Sequence, residues 1–315
     1  MLNRRILRIK AFKTLYSSML AGDVSLATAE SRLDLSCEAT RDLYLFMLGI
    51  VSPLTRTARE RIESARNKFN PTEEEKNPNM RFADNALAVL LDNDPDFNKA
   101  LEKRKFSWDQ YDLLLKKTYA SIVTKDYYKA YMDAPESSLA SDCKLFSRIF
   151  EEEFVGSVEL EHILEDMSIY WNDDLAYSLT YCCRSMDSIA RTGRWAMPPL
   201  YQSDMKKDVK GVESDKQFVH RLLQNAFGGY QKYLSMVSET VANWDHERIV
   251  STDMAIIVCG LAEAENFPTI PVKVTINEYV EISKFYGTPK SRIFVNGLLD
   301  RIIQKLVNEG RINKK

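Results

Sequence analysis

The sequence predicts an all-α protein, and three observations predict it. Only 11 of the 315 residues are glycine, strand-like alternation of apolar and polar residues is scarce, and apolar residues keep returning three or four positions apart between breaks marked by proline or glycine. The length suits one large domain or two ordinary ones and is ample for a buried core.

Residues 2–20 are the first expected helix, with Ile9, Phe12, Tyr16 and Met19 on one face and Gly22-Asp23 as its stop. Its opening turns carry Arg4, Arg5, Arg8, Lys10 and Lys13 without one acidic residue. Cations at a helix N-terminus oppose the macrodipole, so the cluster is either a frayed, solvated start or a phosphate-binding patch.

Helical patterns continue over 38–69, 82–92, 107–132, 142–170 and 173–191. Asn70-Pro71, Asn77-Pro78, Asp94-Pro95, Ala134-Pro135 and Pro198-Pro199 punctuate them, because proline ends a helix or forces an extended turn. The acidic runs Glu73–Glu75 and Glu151–Glu153 read as solvated faces, which repel phosphate and make this middle region a poor RNA surface. Arg148, Phe154, Gly156 and Trp171 recur as Arg221, Phe227, Gly229 and Trp244, each 73 residues further on, and Arg41 with Gly49 repeats the arginine-to-glycine spacing. Either this is a degenerate repeat, or similar amphipathic helices share a few residues by coincidence.

From about residue 213, Phe218, Leu222 and Leu223 open another helix. Thr275 and Glu278 have capping-box spacing, which starts a helix near Thr275. Ile276, Tyr279, Val280 and Ile282 then keep one side apolar until Gly287, expected as a left-handed stop, with Pro289 beyond. In the last helix Val295, Leu298, Leu299, Ile302 and Leu306 recur at helical spacing, and Gly297 would admit a neighbouring backbone. Lys284, Lys290 and Arg292 lie at the connection between these two helices, and Arg301, Lys305, Arg311, Lys314 and Lys315 follow against the single acid Glu309.

Composition bounds the chemistry. A net charge of −2 removes any case for nucleic-acid binding from bulk charge and leaves it to local patches. Five cysteines without repeated CxxC spacing read as reduced thiols of a cytoplasmic protein. No apolar run reaches the roughly 20 residues needed to span a bilayer, and no signal peptide is expected. His162, His220 and His246 have no metal-ligand or nucleophile context, and Gly228-Gly229 is not a phosphate-cradling loop. No enzyme activity, cofactor or metal is expected.

The run from Pro271 to Asp300 resembles the C-terminal signature of the NusB family of transcription antitermination factors. Pro271-x-Lys273-Val274, Ile276-Asn277-Glu278 and Phe294-Val295-Asn296-Gly297 occur in the family's order and at its spacing. Arg4-Arg5, Arg8 and Leu15-Tyr16 match the positions that open NusB proteins, and Asn243-Trp244 with Arg248-Ile249 is similar to the family's Asn-Trp-x-x-x-Arg-Ile. Where the family usually has Asp-Arg-x-Ile-Leu-Arg, Met254 and Val258 replace the two arginines after Asp253, while Glu263 matches the glutamate that follows. NusB-like domains also occur fused to RNA cytosine methyltransferases, but no Rossmann-like pattern or reactive-cysteine context is present here.

The resemblance implies a NusB-like core of two packed helical bundles from residues 1–22 and 213–315, with residues 23–212 as a large helical insertion. It implies binding of boxA-type single-stranded RNA together with the ribosomal protein NusE, in complexes that prevent premature termination on ribosomal RNA operons, with other Nus factors and RNA polymerase met indirectly. The RNA-binding residues it implies are Arg4, Arg5, Arg8, Tyr16, Lys284, Lys290, Arg292, Phe294 and Asn296. Asp253 and Glu263 would suit the basic protein partner. Phe294 is divided between base contact and core packing, and Trp244 reads as a packing anchor. Two other functions stay open: a ribosome-assembly module that keeps the RNA surface, and a protein-interaction scaffold whose insertion covers it. A homodimer is also open.

Overall fold

A computed structural model describes residues 1–22, 24–205, 213–241 and 250–314. In chain order the helices are α1 (Arg4–Ala21), α2 (Leu26–Leu48), α3 (Val51–Arg66), α4 (Glu73–Lys76), α5 (Ala86–Asp92), α6 (Pro95–Arg104), α7 (Asp112–Ile122) and α8 (Asp126–Asp133). They continue as α9 (Leu139–Ile149), α10 (Val158–Met167), α11 (Leu175–Thr192), α12 (Asp215–Gly228), α13 (Tyr230–Thr240), α14 (Ser251–Asn266), α15 (Val272–Tyr286) and α16 (Ser291–Asn308). Among the described residues there is no strand, only the isolated bridge between Leu2 and Tyr201, and the fold is all-α as expected. No helix among them is long and apolar enough to cross a membrane.

The chain divides into two compact units, one of residues 1–37 with 199–315 and the other of residues 38–198. The first division, between Cys37 and Glu38, falls within α2 and fifteen residues beyond the 22/23 boundary expected from sequence, and the second is at Pro198-Pro199.

In the first unit α14 is the central element. Every residue from Asp253 to Ala264 is buried, as expected of a helix that is apolar nearly all round. It packs against α1, α12, α13, α15 and α16. Gly260 allows the close approach of α16, since a Cβ there would stand 2.9 Å from Leu299 Cδ2. Met254 and Val258, which replace family arginines, are buried in this helix. The N-terminal segment is stitched to the strand-like stretch before α12: Leu2 N–H donates to the Leu200 carbonyl at 2.6 Å, and Gln202 N–H to the Leu2 carbonyl at 3.1 Å.

The second unit is centred on aromatic packing. Phe46 stacks on Trp108 at 4.2 Å between centroids and on Trp171 at 5.6 Å, and Phe82 stacks on Tyr119 and Phe146. Two of its buried aromatic polar groups are satisfied: Trp108 Nε1 donates to the Phe46 carbonyl at 2.8 Å, and Tyr44 OH joins Ser185 at 2.7 Å and Trp195 Nε1 at 2.9 Å.

Several sequence expectations are corrected. The single pattern over 38–69 is two helices, parted at Gly49-Ile50; Pro53 lies in the first turn of α3, where its missing N–H costs nothing. Pro95 starts α6 instead of ending a helix, with the Asp94 carboxylate accepting from the Asp96 and Phe97 N–H groups at 3.0 and 2.9 Å. The pattern over 142–170 is interrupted by a widened π turn at Phe150–Phe154 and by Gly156. That glycine has φ +73° whereas its repeat counterpart Gly229 has φ −91°, so the two segments differ in backbone at this pair. Trp244, the other end of the repeat, lies outside the described residues. In the acidic run Glu151–Glu153, the Glu153 carboxylate is interior, accepting from Tyr127 OH at 3.1 Å.

The capping box expected at Thr275 and Glu278 does not form. α15 begins a turn earlier at Val272, so both residues sit inside the helix with their side chains committed to other elements. Gly287 is not left-handed: its backbone is extended, and glycine is needed because a Cβ would come 2.4 Å from that of Ser291. Gly297 admits no backbone, as nothing lies within 4 Å of where its Cβ would be.

Candidate nucleic-acid interface

Arg5 diverges from Arg4 and Arg8, because successive helical positions are about 100° apart whereas positions four apart share a face. Arg4 turns to α12, where its guanidinium meets Asp215 at 3.3 Å and lies 4.7 Å from the centre of the Phe218 ring. Arg5 turns outward to α15, gripping Glu278 with two hydrogen bonds of 2.9 and 2.7 Å. Arg8 points inward. Its side chain is 5% exposed and holds the fully buried Glu263 of α14 with bonds of 2.7 and 2.9 Å.

Glu263 is the centre of a closed network. Besides Arg8 it accepts from Thr275 Oγ1 at 2.8 Å and from Tyr279 OH at 3.4 Å. Glu278 bridges outward from it, lying 3.6 Å from Arg8 Nη1 while paired to Arg5. The hydrogen bonds from Arg5, with the Arg8 charge nearby, hold the Glu278 carboxyl below the usual carboxylate value. Asp253 is also interior: it accepts from Ser291 Oγ at 2.6 Å, and burial raises its carboxyl above the ordinary value. Both acids read from sequence as suited to a protein partner are therefore inside the first unit.

The outer edge is basic and apolar together. Arg5 meets Glu278, and eight residues further along each helix Lys13 lies 5.7 Å from the centre of the Tyr286 ring, which the Phe12 ring also meets at 5.2 Å between centroids. Equal intervals in the same direction mean that α1 and α15 run side by side in parallel over about 12 Å. Tyr16 is half-buried on the same edge of α1. Beyond Tyr286, the α15–α16 connection presents exposed Lys290, Arg292 and Asn296. Phe294 is half-buried, and Phe285 and Ile293 are 81% and 79% exposed. Lys284 hydrogen-bonds Glu281, and that bond, together with the charges of Arg5 and Arg292, keeps the Glu281 carboxyl below its ordinary value. One half-buried carboxylate thus lies within the field of cations from α1, α15 and α16.

The C-terminal cations fall into a separate group. Lys314 donates to the Phe267 carbonyl at 2.6 Å and Arg311 binds Glu265 at 2.7 Å, which ties both to the end of α14. Lys315 and the Asn243-to-Ile249 element lie outside the described residues. Sequence reading placed Lys13 in the basic N-terminal cluster but missed Phe285 and Ile293. Position could have found Phe285, because it falls about 90° from the centre of the apolar stripe of Tyr279, Ile282 and Tyr286 on a helical wheel.

Burial keeps the thiols out of the chemistry. Cys183 is pushed up to about 11 and Cys143 to about 12, chiefly by loss of water, so neither is a thiolate near neutral pH. Among the described residues no group of acidic, histidine and cysteine side chains could hold a metal ion.

Comparison with known proteins bears on this geometry. The NusB family's sequence profile matches residues 197–304, which begin where the first unit resumes after the second. The chain is 32% identical over 101 residues to the transcription antitermination protein NusB of Salinibacter ruber, covering 32% of this chain and 63% of that protein. To the NusB of Alkaliphilus oremlandii it is 31% identical over 93 residues, covering 30% of this chain and 67% of that one. To the NusB of Syntrophotalea carbinolica it is 38% identical over 91 residues, covering 29% and 58%. The chain therefore spans somewhat under two thirds of the length of the first of these relatives. No solved structure matches it. With the profile resting on α12 to α16 and the identity reaching across two thirds of the Alkaliphilus protein, this chain belongs to the NusB family and carries an extra helical region beyond the NusB domain.

Proposed function

We propose that this protein is a transcription antitermination factor that binds boxA-type single-stranded RNA together with the ribosomal protein NusE, in the transcription of ribosomal RNA. It is a binding protein and carries out no reaction. Other Nus factors and RNA polymerase are reached through the complex. The relatives named above are antitermination proteins, and the single observation supporting an RNA face is the run of cations along one edge: Arg5 on Glu278, Lys284 on Glu281 about one turn further along α15, and the exposed Arg292 beyond. Lys290 and Asn296 lie on the same exposed edge.

The mechanism is electrostatic exchange. RNA phosphates replace Glu278 and Glu281 as partners of Arg5, Lys284 and Arg292, releasing counterions, while Lys290 adds a further charge. Arg8 acts from beneath: bound to Glu263, it fixes the position of α1 against α14 and α15 and so sets where Arg5 stands. Arg4 and Tyr16 flank this edge, and Phe294 and Asn296 are the groups on α16 nearest the cations in sequence.

A second reading, a protein-interaction module, is favoured by the acidic partner that each of Arg4, Arg5 and Arg8 already has. Fluorescence anisotropy with boxA-like and scrambled RNA, each with and without NusE, separates the two. Tighter binding of the boxA-like strand, strengthened by NusE, is expected; equal weak binding in all four arms would sink the RNA reading.

A further inference from the structure

Phe285 is 81% exposed at the last turn of α15, and Ile293 is 79% exposed in the first turns of α16. Singly exposed apolar side chains are ordinary, but the Phe285 ring stands open at a connection where Lys284, Lys290 and Arg292 are exposed as well. Neighbouring rings are already engaged: Tyr286 meets the Phe12 ring at a steep angle and the Lys13 ammonium, and Phe294 is half-buried. Among the described residues no ring or cation stacks on Phe285.

The occupant is indicated by size and charge. A phenylalanine offers about 200 Å² of surface, which matches one nucleobase and falls far short of the roughly 800 Å² per partner of a stable protein interface. Lys284 precedes Phe285 directly, Lys290 is exposed in the connection, and Arg292 precedes Ile293. Cations at these intervals suit the phosphates on either side of a base; an apolar protein segment would have to desolvate them.

We propose that Phe285 is a base-stacking platform for single-stranded RNA, with Lys284, Lys290 and Arg292 holding the adjoining phosphates. The proposal rests on the reading of this edge as an RNA-binding face and moves the base contact from Phe294 to Phe285. Stacking on an aromatic face is tolerant of base identity, so this position contributes affinity and register while sequence is read elsewhere.

The test uses the full chain and its Phe285→Ala and Phe285→Trp variants with boxA-like RNA, in parallel with strands made abasic at one position at a time. Phe285→Ala is expected to weaken binding by roughly five- to 150-fold, the equivalent of one lost base stack, with the slope of affinity against salt unchanged. Phe285→Trp should keep the affinity, and its added fluorescence should be quenched by RNA. One abasic position should abolish the difference between wild type and Phe285→Ala. A side chain this exposed leaves the melting temperature unchanged on truncation, so a loss of binding is not a loss of fold. If wild type and Phe285→Ala bind RNA equally, the platform is overturned while the RNA face stands. If wild type binds no RNA, the RNA face itself fails and the platform with it. If Phe285→Ala weakens only NusE binding, the ring is a protein contact and the proposal is overturned.

Discussion

Arg8 and Glu263, 255 residues apart in sequence, face each other through two hydrogen bonds of 2.7 and 2.9 Å inside the first unit. Removing one member of a buried pair leaves the other charge uncompensated, which costs about 3–5 kcal/mol. Glu263→Leu and Arg8→Met should each lower the unfolding free energy, read from urea melts, by that amount. Arg8→Met combined with Glu263→Leu should recover most of the loss. Additive single losses in the double variant would show that the pair is not the unit of stability.

Glu278 occupies Arg5 in the geometry a phosphate would take. Glu278→Gln should tighten RNA binding by about two- to fivefold, the worth of an exposed ion pair. The same variant has a pH signature. The Glu278 carboxyl is held below its ordinary value of 4.5, so the pair's contribution to stability is complete above pH 4.5 and fades as the pH falls through the lowered value. The stability gap between wild type and Glu278→Gln should therefore shrink in acid and stay constant at neutral pH. A gap that widens in acid would contradict the sign.

Lys290 and Arg292 are exposed and stand at the start of α16, so reversing their charge leaves the fold intact. If each neutralises one phosphate, Lys290→Glu with Arg292→Glu should lower the log-log salt slope by about 1.4, roughly 0.7 per contact on a single strand. An unchanged slope measured by anisotropy across a salt series would remove both residues from the interface.

Gly260 and Gly297 predict opposite outcomes for the same substitution. A Cβ at Gly260 would stand 2.9 Å from Leu299 Cδ2 and 3.3 Å from Tyr279 Cδ2, in the interior. Overpacking there should cost about 1–3 kcal/mol. At Gly297, inside α16 and with nothing within 4 Å, alanine should stabilise by up to about 1 kcal/mol through helix propensity alone. Thermal melts of the two alanine variants check the contrast.

Much of the helical order was legible because its signals are local: apolar spacing marks α11, α12 and α16, and the family pattern marks the α15–α16 connection. The buried face of α1 was read about one position off. Leu7, Arg8, Ala11, Phe12, Leu15 and Ser18 are buried, and Ile9, Tyr16 and Met19 lie at the margin. The spacing of Arg8 to Ala11, Phe12 and Leu15 was a usable signal that its guanidinium goes inward, but a charged residue is read as surface by default. Its partner could not be read at all, since no local pattern links residue 8 to residue 263. Thr275 and Glu278 misled for a related reason: their spacing satisfies a local motif, while distant groups on α14 and α1 claim both side chains.

The pairing of Leu2 with Leu200 and Gln202 has a consequence for how the protein is made. α1 leaves the ribosome long before α12 and α14, its packing partners, exist. At about 5–20 residues per second the wait is roughly 10–40 seconds. Residues 38–198 are contiguous and supply their own core, so they can close while α1 is still unpaired. The first unit is therefore the last part to form, and α1 must stay soluble in the interval. A start rich in arginine and lysine serves that need before it serves any ligand.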